Sequence, residues 1–147
     1  MLKVANHPIY THPLPKGHRF PMEKYDLVPK QLLLEGTCTP ENFFLPEIAP
    51  EEAILAVHDQ TYLQSLNDLS LGRKAIMALG LPLSKQLIQR EKILAGGTIK
   101  AAEFALEYGI GMNAAGGTHH AFTNKGEGFC LLNDQAIAAR YLQQHMG

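Results

Sequence analysis

Positions 85, 89, 92, 96, 100, 103 and 107 form a polar series, with Gly96 as its one uncharged small member. Leu87, Leu94, Thr98, Ala101, Ala102 and Ala105 occupy the opposite side. The spacing is helical and predicts one long helix over 84–108, stopped by Gly109. Its apolar side is rich in small residues, which implies close packing against a sheet. Gly96 and Gly97 each cost a helix interior about 1 kcal/mol relative to alanine, and that close approach accounts for them. The apolar run 110–115 that follows lies between glycines and reads as a short strand, broken at Gly116-Gly117.

The rest of the chain gives shorter elements. Residues 2–5 (LKVA) predict a first strand, and 6–21, dense in proline and histidine, predicts a loop, since proline lacks the N–H and restricts its predecessor. A helix over about 22–35 offers Tyr25, Leu27, Val28 and Leu32 as its apolar face, with Pro29 interrupting or restarting it and Gly36 as the stop. Residues 37–50, with three prolines, read as connecting structure. Glu51-Glu52 suits a helix start, and Asp59 is placed to cap a second piece carrying Tyr62, Leu66 and Leu69. Residues 72–82 carry at most a short helix, whereas Asn133-Asp134 opens an alanine-rich helical pattern.

Composition narrows the class. A chain of 147 residues, 46% hydrophobic and 18% charged, suits one globular domain with a real core. A formal net charge of -1 without a basic run argues against direct nucleic-acid binding. The apolar stretches are too short and interrupted to span a bilayer, and the N-terminus has no signal-peptide core. Cys38 and Cys130 are far apart and form no CxxC, so a reduced cytoplasmic setting is expected.

The candidate chemistry lies in the stretch from Gly109 to Ala139. Gly116-Gly117 precedes the adjacent His119 and His120, and Gly126 and Gly128 bracket Glu127 before Phe129-Cys130. Glycines on both sides let backbone approach a ligand closely, and two neighbouring imidazoles can divide base and acid duties. Four competing features carry less. His7, His12 and His18 have no carboxylate or thiolate at ligand spacing. His58-Asp59 reads as a packed histidine beside a capping aspartate. Residues 109–114 (GIGMNA) fit a GxGxxA dinucleotide pattern, but here a helix precedes and a strand follows, the reverse of the required order. Cys130 lies between Phe129 and Leu131-Leu132, an apolar setting that disfavours a thiolate nucleophile.

The string GGTHHAF (116–122), followed by GEGFCLLND (126–134) and a helix, resembles the signature of the zinc-dependent histone deacetylase family, which includes bacterial acetylpolyamine and acetoin-utilisation relatives. HRFPMEKY (18–25), VHDQTYLQSL (57–66) and LAGGTIKAA (94–102) resemble further blocks of that family in the same order, and the HRFPM form is most like the class IV type and its bacterial relatives. The resemblance implies an α/β fold of the deacetylase/arginase type, a parallel sheet flanked by helices. It implies that His119 and His120 are the two active-site histidines, the second the general base and the first electrostatic in role. It implies that Phe129 walls the acyl-lysine tunnel, that Gly128 keeps the tunnel clear, and that Arg19 belongs near the pocket's internal end, with a surface salt bridge as its plainer alternative.

The sequence also departs from that pattern. The family's zinc ligands lie in an Asp-x-His element on the next strand and in a later Asp, and a downstream Tyr polarises the carbonyl. The four aspartates here are Asp26, Asp59, Asp68 and Asp134, and none is followed two residues later by histidine. Residues 1–147 are therefore expected to be the N-terminal part of a single deacetylase-like domain, ending before the zinc-ligand strand. Zn2+ is expected for the complete domain and not to be fully coordinated by this chain. Completed by a C-terminal fragment, the chain would act on acetylated lysine or polyamine; alone it is expected to be inactive. The alternative is a non-catalytic remnant or binding module that keeps part of the tunnel. An unpaired sheet edge and an uncovered apolar face would favour self-association or pairing with a second fragment.

Overall fold

The computed structural model describes residues 1–147 throughout. In chain order the elements are β1 (Lys3–Ala5), α1 (Lys24–Leu34), β2 (Phe43–Phe44), α2 (Glu51–Leu55), α3 (Gln60–Asn67), α4 (Arg73–Leu79), α5 (Lys85–Tyr108), β3 (Gly111–Asn113) and α6 (Asp134–His145). Short 3-10 turns occupy Pro8–Tyr10 and Pro40–Asn42.

The long helix read from periodicity is α5. Ser84 caps it, its hydroxyl accepting the Leu87 N–H at 3.1 Å, and Gly109 closes it in the left-handed region. The strands form one parallel sheet in the order β2-β1-β3, with Val4 of the central strand beside both Phe43 and Met112. A side chain on Gly96 would overlap the Glu47 carbonyl oxygen, and one on Gly97 would crowd the Tyr10 hydroxyl and the Asn113 amide. Gly97 therefore permits the expected close approach to the sheet, at Ala5 and Asn113, whereas Gly96 lies against the segment after β2 and not against a strand. A side chain on Gly111 would likewise overlap the Ala101 carbonyl of α5.

Two apolar clusters flank α5. The larger joins α2, α3, α5 and α6 through Ile54, Leu66, Leu87, Leu131 and Ile137. The smaller gathers Tyr10, Met22, Tyr25, Ile93, Leu94 and Ala115. Between them lies a buried ion pair that periodicity did not reveal. Arg90 Nη1 donates to Glu91 Oε1 at 2.5 Å, and Arg90 Nε donates to the Tyr10 carbonyl at 2.8 Å. Burial pushes the Glu91 carboxyl up, against the pull of the adjacent guanidinium. The pair fixes geometry more than it adds stability, because desolvating two charges offsets most of their attraction.

Four expectations need correction. Pro29 does not interrupt α1, which runs unbroken over Lys24–Leu34; Pro29 lacks one N–H donor, and its ring is buried one turn from Tyr25. That turn sets the buried side, so Leu27 (56% exposed) and Val28 (47%) face outward, not into the core. Residues 37–50 are not connection alone, since Phe43-Phe44 forms β2 and the Phe44 ring meets Phe104 of α5 at 5.1 Å. Asp59 stands at the start of α3 but makes no side-chain cap; its backbone N–H instead donates to the Thr123 carbonyl at 2.9 Å.

β3 is an edge strand. Met112 (50% exposed) and Ile110 (49%) leave apolar surface beside its unpaired side. No helix is long and apolar enough to cross a membrane.

Candidate functional site

The segment after β3 is a loop fastened at several points. Gly116 and Gly117 both take positive φ (86° and 74°), which turns the chain away from the sheet. The Gly117 N–H then donates to both carboxylate oxygens of Asp134 at 3.1 Å, and Thr98 Oγ1 donates to Asp134 Oδ2 at 2.5 Å. Asn113 Nδ2 in turn donates to Thr98 Oγ1 at 2.9 Å, so β3, α5, the loop and α6 share one polar chain. Burial raises the Asp134 carboxyl above the ordinary aspartate range, against its hydrogen bonds from Thr98 and Gly117. The cap of α6 comes from Asn133, whose side chain accepts the Ala136 N–H at 3.0 Å. Of the Asn133-Asp134 pair read as a helix start, one residue caps and the other anchors the loop.

His119 and His120 emerge beyond this anchor with exposed rings 4.3 Å apart between centroids and tilted by 48°. The four ion pairs of the chain lie elsewhere, so no carboxylate here orients either imidazole. Of the other candidate residues, the structure brings Gly128 to His120 and Arg19 to Phe129. A Cβ on Gly128 would stand 3.3 Å from the His120 ring, close enough to displace it. Phe129 has a φ of 66°, rare for a bulky side chain, and is held there by its N–H to the Leu79 carbonyl at 2.8 Å. The N–H of Gly128 donates to the Ala78 carbonyl at 3.0 Å, which ties the same turn to the end of α4. Arg19, exposed and without an ion pair, places its guanidinium 5.0 Å from the centre of the Phe129 ring.

Sequence reasoning missed the other side of Phe129. Phe20 packs on it at 5.0 Å and His18 edge-on at 6.1 Å, while His18 Nε2 is 2.8 Å from the Gly80 carbonyl oxygen. The proximity of HRF to the glycine-framed turn is a contact across more than a hundred residues, and no local pattern encodes it. Cys130 is fully buried, its thiol donating to the Thr118 and Leu132 carbonyls at 3.4 Å, and burial pushes its pKa up. It is a packed thiol and not a nucleophile.

The histidine pair is not enclosed. None of the five principal clefts has either imidazole in its lining, and the largest, about 500 Å³, lies between α5 and residues 44–50. Beside the His120 ring stands Gly128, followed in the chain by Phe129, whose ring packs on Phe20. No group of three or more His, Cys, Asp or Glu side chains converges to hold a metal ion.

The profile of the histone deacetylase domain matches residues 18–147. This chain belongs to the histone deacetylase family. Among family relatives, an uncharacterized protein of Picosynechococcus sp. is 44% identical over 141 residues, which is 96% of this chain and 47% of that protein. The acetoin utilization protein AcuC of Bacillus subtilis is 32% identical over 110 residues, 67% of this chain and 28% of its own length. Histone deacetylase 2 of Arabidopsis thaliana is 29% identical over 132 residues, covering 86% and 34% respectively. The solved structure of a histone deacetylase homologue from Aquifex aeolicus superposes with a TM-score of 0.79 at 24% identity, over 97% of this chain and 41% of that one. That likeness shows the deacetylase-type α/β fold. The chain spans about half the length, or less, of the relatives it matches.

Proposed function

We propose that this chain furnishes the imidazole pair and one wall of the acyl channel of an amide hydrolase that removes acetyl groups from acetylated lysines or polyamines, and that the isolated chain is inactive. The observation that carries the reading is the placement of His120 against Gly128, with Phe129 held in a strained conformation beside it. A flat methylene chain can lie along Phe129, and the absence of a side chain at Gly128 keeps its route to His120 open. In this arrangement His120 takes the proton of an attacking water and His119, 4.3 Å away, stabilises developing negative charge. Arg19 extends the channel wall by covering the Phe129 ring.

Residues 1–147 constitute the N-terminal part of the domain, and the groups that orient and activate come from outside them. The zinc ion implied by the family has no ligand set among these residues, so no step is assigned to a metal held by this chain. The two imidazoles also lack a carboxylate to fix tautomer and orientation, which an efficient base requires. The same two facts favour the second reading, a non-catalytic module that binds acylated side chains through the Phe129 wall.

Acetate release from an acetyl-lysine peptide decides between them. The purified chain is expected to release none, with or without added zinc. A longer form, or the chain mixed with a C-terminal fragment carrying an Asp-x-His element, is expected to release acetate and to lose that activity in His120→Ala. Zinc-dependent turnover by the purified chain alone would overturn the proposal. Failure of every completed form to turn over would leave the binding module as the reading.

A further inference from the structure

His58 is 2% exposed and sits between α2 and α3, on a segment remote in sequence from the histidine loop. Its two ring nitrogens make two different hydrogen bonds. Nδ1 is 2.9 Å from the Phe122 carbonyl oxygen, and the Asn133 N–H donates to Nε2 at 3.1 Å. A carbonyl only accepts and a backbone amide only donates, so the partners dictate the tautomer: Nδ1 carries the proton and Nε2 is bare. A second proton on His58 would have to sit at Nε2, pointing at the Asn133 amide hydrogen.

The two partners bracket the site. Phe122 is two residues after His120, and Asn133 caps the helix whose next residue, Asp134, anchors Gly117. The bonds from His58 therefore span the two ends of the turn that contains Gly128 and Phe129. The neighbouring Asp59 N–H adds a bond to the Thr123 carbonyl at 2.9 Å, and Asn133 Nδ2 donates to the Ala121 carbonyl at 3.4 Å. Residues 121–123, directly after the imidazole pair, are thus held by three separate hydrogen bonds that converge from the α2–α3 junction and the start of α6.

We propose that His58 is a positioning residue: a neutral, doubly bonded imidazole that fixes the loop bearing His119 and His120 against the first turn of α6. It rests on the reading of that pair as the reactive couple, but its test does not use turnover. The groups around His58 are consistent with a fixed neutral ring. Tyr62 of α3 lies with its ring centroid 5.7 Å away, the loop presents the Phe122 and Thr123 carbonyls, and α6 presents the Asn133 N–H. Asp59 is the acidic neighbour. Burial lowers the proton affinity of His58 below the ordinary value of 6.5, against the pull of those carbonyls and of Asp59. The sign follows: a histidine depressed in the folded state contributes stability that is complete above about 6.5 and is lost as pH falls through its folded value.

Nitrogen-15 NMR of the 147-residue chain tests this in the wild type. Long-range imidazole correlations are expected to show His58 as the Nδ1–H tautomer, and to keep it so as pH falls through the ordinary histidine value of 6.5. Three variants then separate the two bonds. His58→Phe keeps the ring and removes both, and should speed Asn133 amide exchange about tenfold or more while shifting the His119 and His120 ring resonances. His58→Gln keeps an acceptor near Nε2 and should restore Asn133 protection only. His58→Asn keeps a donor near Nδ1 and should restore the loop side only. An Nε2–H tautomer in the wild type, or protonation of His58 at or above the ordinary value of 6.5, would overturn the proposal. So would His119 and His120 resonances unchanged in all three variants. If His58→Phe does not fold, the wild-type tautomer and the two amide variants still decide. Loss of the deacetylase reading would leave these measurements unaffected, whereas a free-titrating His58 would sink this inference alone.

Discussion

Asp134→Ala tests whether the histidine loop is anchored as described. Asp134 is 1% exposed and accepts from two donors, the Gly117 N–H at 3.1 Å and the Thr98 hydroxyl at 2.5 Å. Removing the carboxylate leaves both donors without their acceptor. Thr98 can turn toward the Leu94 carbonyl, 3.4 Å away, and the N–H of the exposed Gly117 can turn to water. Hydrogen bonds to a charged acceptor are worth about 1.5–3 kcal/mol. Relief from desolvating the carboxylate offsets part of this, so about 1–3 kcal/mol of net destabilisation is expected. The chain has no tryptophan, so urea unfolding followed by far-UV circular dichroism is the assay. Asp134→Asn keeps an acceptor for Gly117 and should cost about half as much. The two variants also separate the charge from the bond. Because burial raises the folded-state pKa, wild-type stability should fall as pH rises from the ordinary value of 3.8 through the folded value, where the buried group must ionise. Asp134→Asn should lose that part of the slope and keep only what Glu91, also raised by burial, contributes in the same direction. A cost below about 0.5 kcal/mol for Asp134→Ala, with Gly117 exchange unchanged, would refute the anchor.

Gly128→Ala places a methyl 3.3 Å from the His120 ring at a φ of 55°, and should cost about 1–2 kcal/mol and shift the His120 ring resonances, while His145 stays unmoved. Gly96→Ala gains up to about 1 kcal/mol of helix propensity but drives its methyl into the Glu47 carbonyl; a net loss of about 1–3 kcal/mol in urea unfolding is expected, and a gain would show that α5 does not approach that segment so closely. Cys130 should resist iodoacetamide until the chain unfolds, since it is buried with its pKa raised; fast labelling of the native chain at neutral pH would contradict this.

What was legible in the sequence was whatever is local. The spacing of Lys85, Gln89, Lys92, Lys100, Glu103 and Glu107 fixed α5, and Ser84 and Gly109 marked its ends. The glycine-framed loop could be placed after a strand because backbone freedom is a property of the residues themselves. Helix faces were less secure where one residue altered the balance. On α1 the prolyl ring at 29 joined Tyr25 inside and left Leu27 and Val28 out, although all four are apolar. Arg90 and Glu91 defeated periodicity for a different reason: each neutralises the other, so a polar position became a core position. The contacts that shape the candidate site were the least visible. His18, Phe20 and Gly80 meet Phe129, and His58 meets Phe122 and Asn133, through the tertiary fold alone.

The distribution of those contacts explains how the site is put together. The fastenings of the loop are made away from the ring nitrogens: Asp134 and Thr98 at Gly117, His58 and Asp59 at 122–123, Ala78 and Leu79 at 128–129. All act on backbone or on glycine, and none acts on an imidazole nitrogen. The backbone can therefore be held at a set height while both rings stay free to turn. Positional order and rotational order are separate costs in building a base, since a ring must also present the right nitrogen. This chain meets the first. The second requires acceptors at the ring nitrogens, and none of the four ion pairs supplies one. A strand added parallel to β3 would bring its carboxyl end to the same edge of the sheet as Asn113 and the loop that follows. Groups carried there would lie at the end of the sheet from which the loop bearing His119 and His120 departs, and none of its fastenings would have to break.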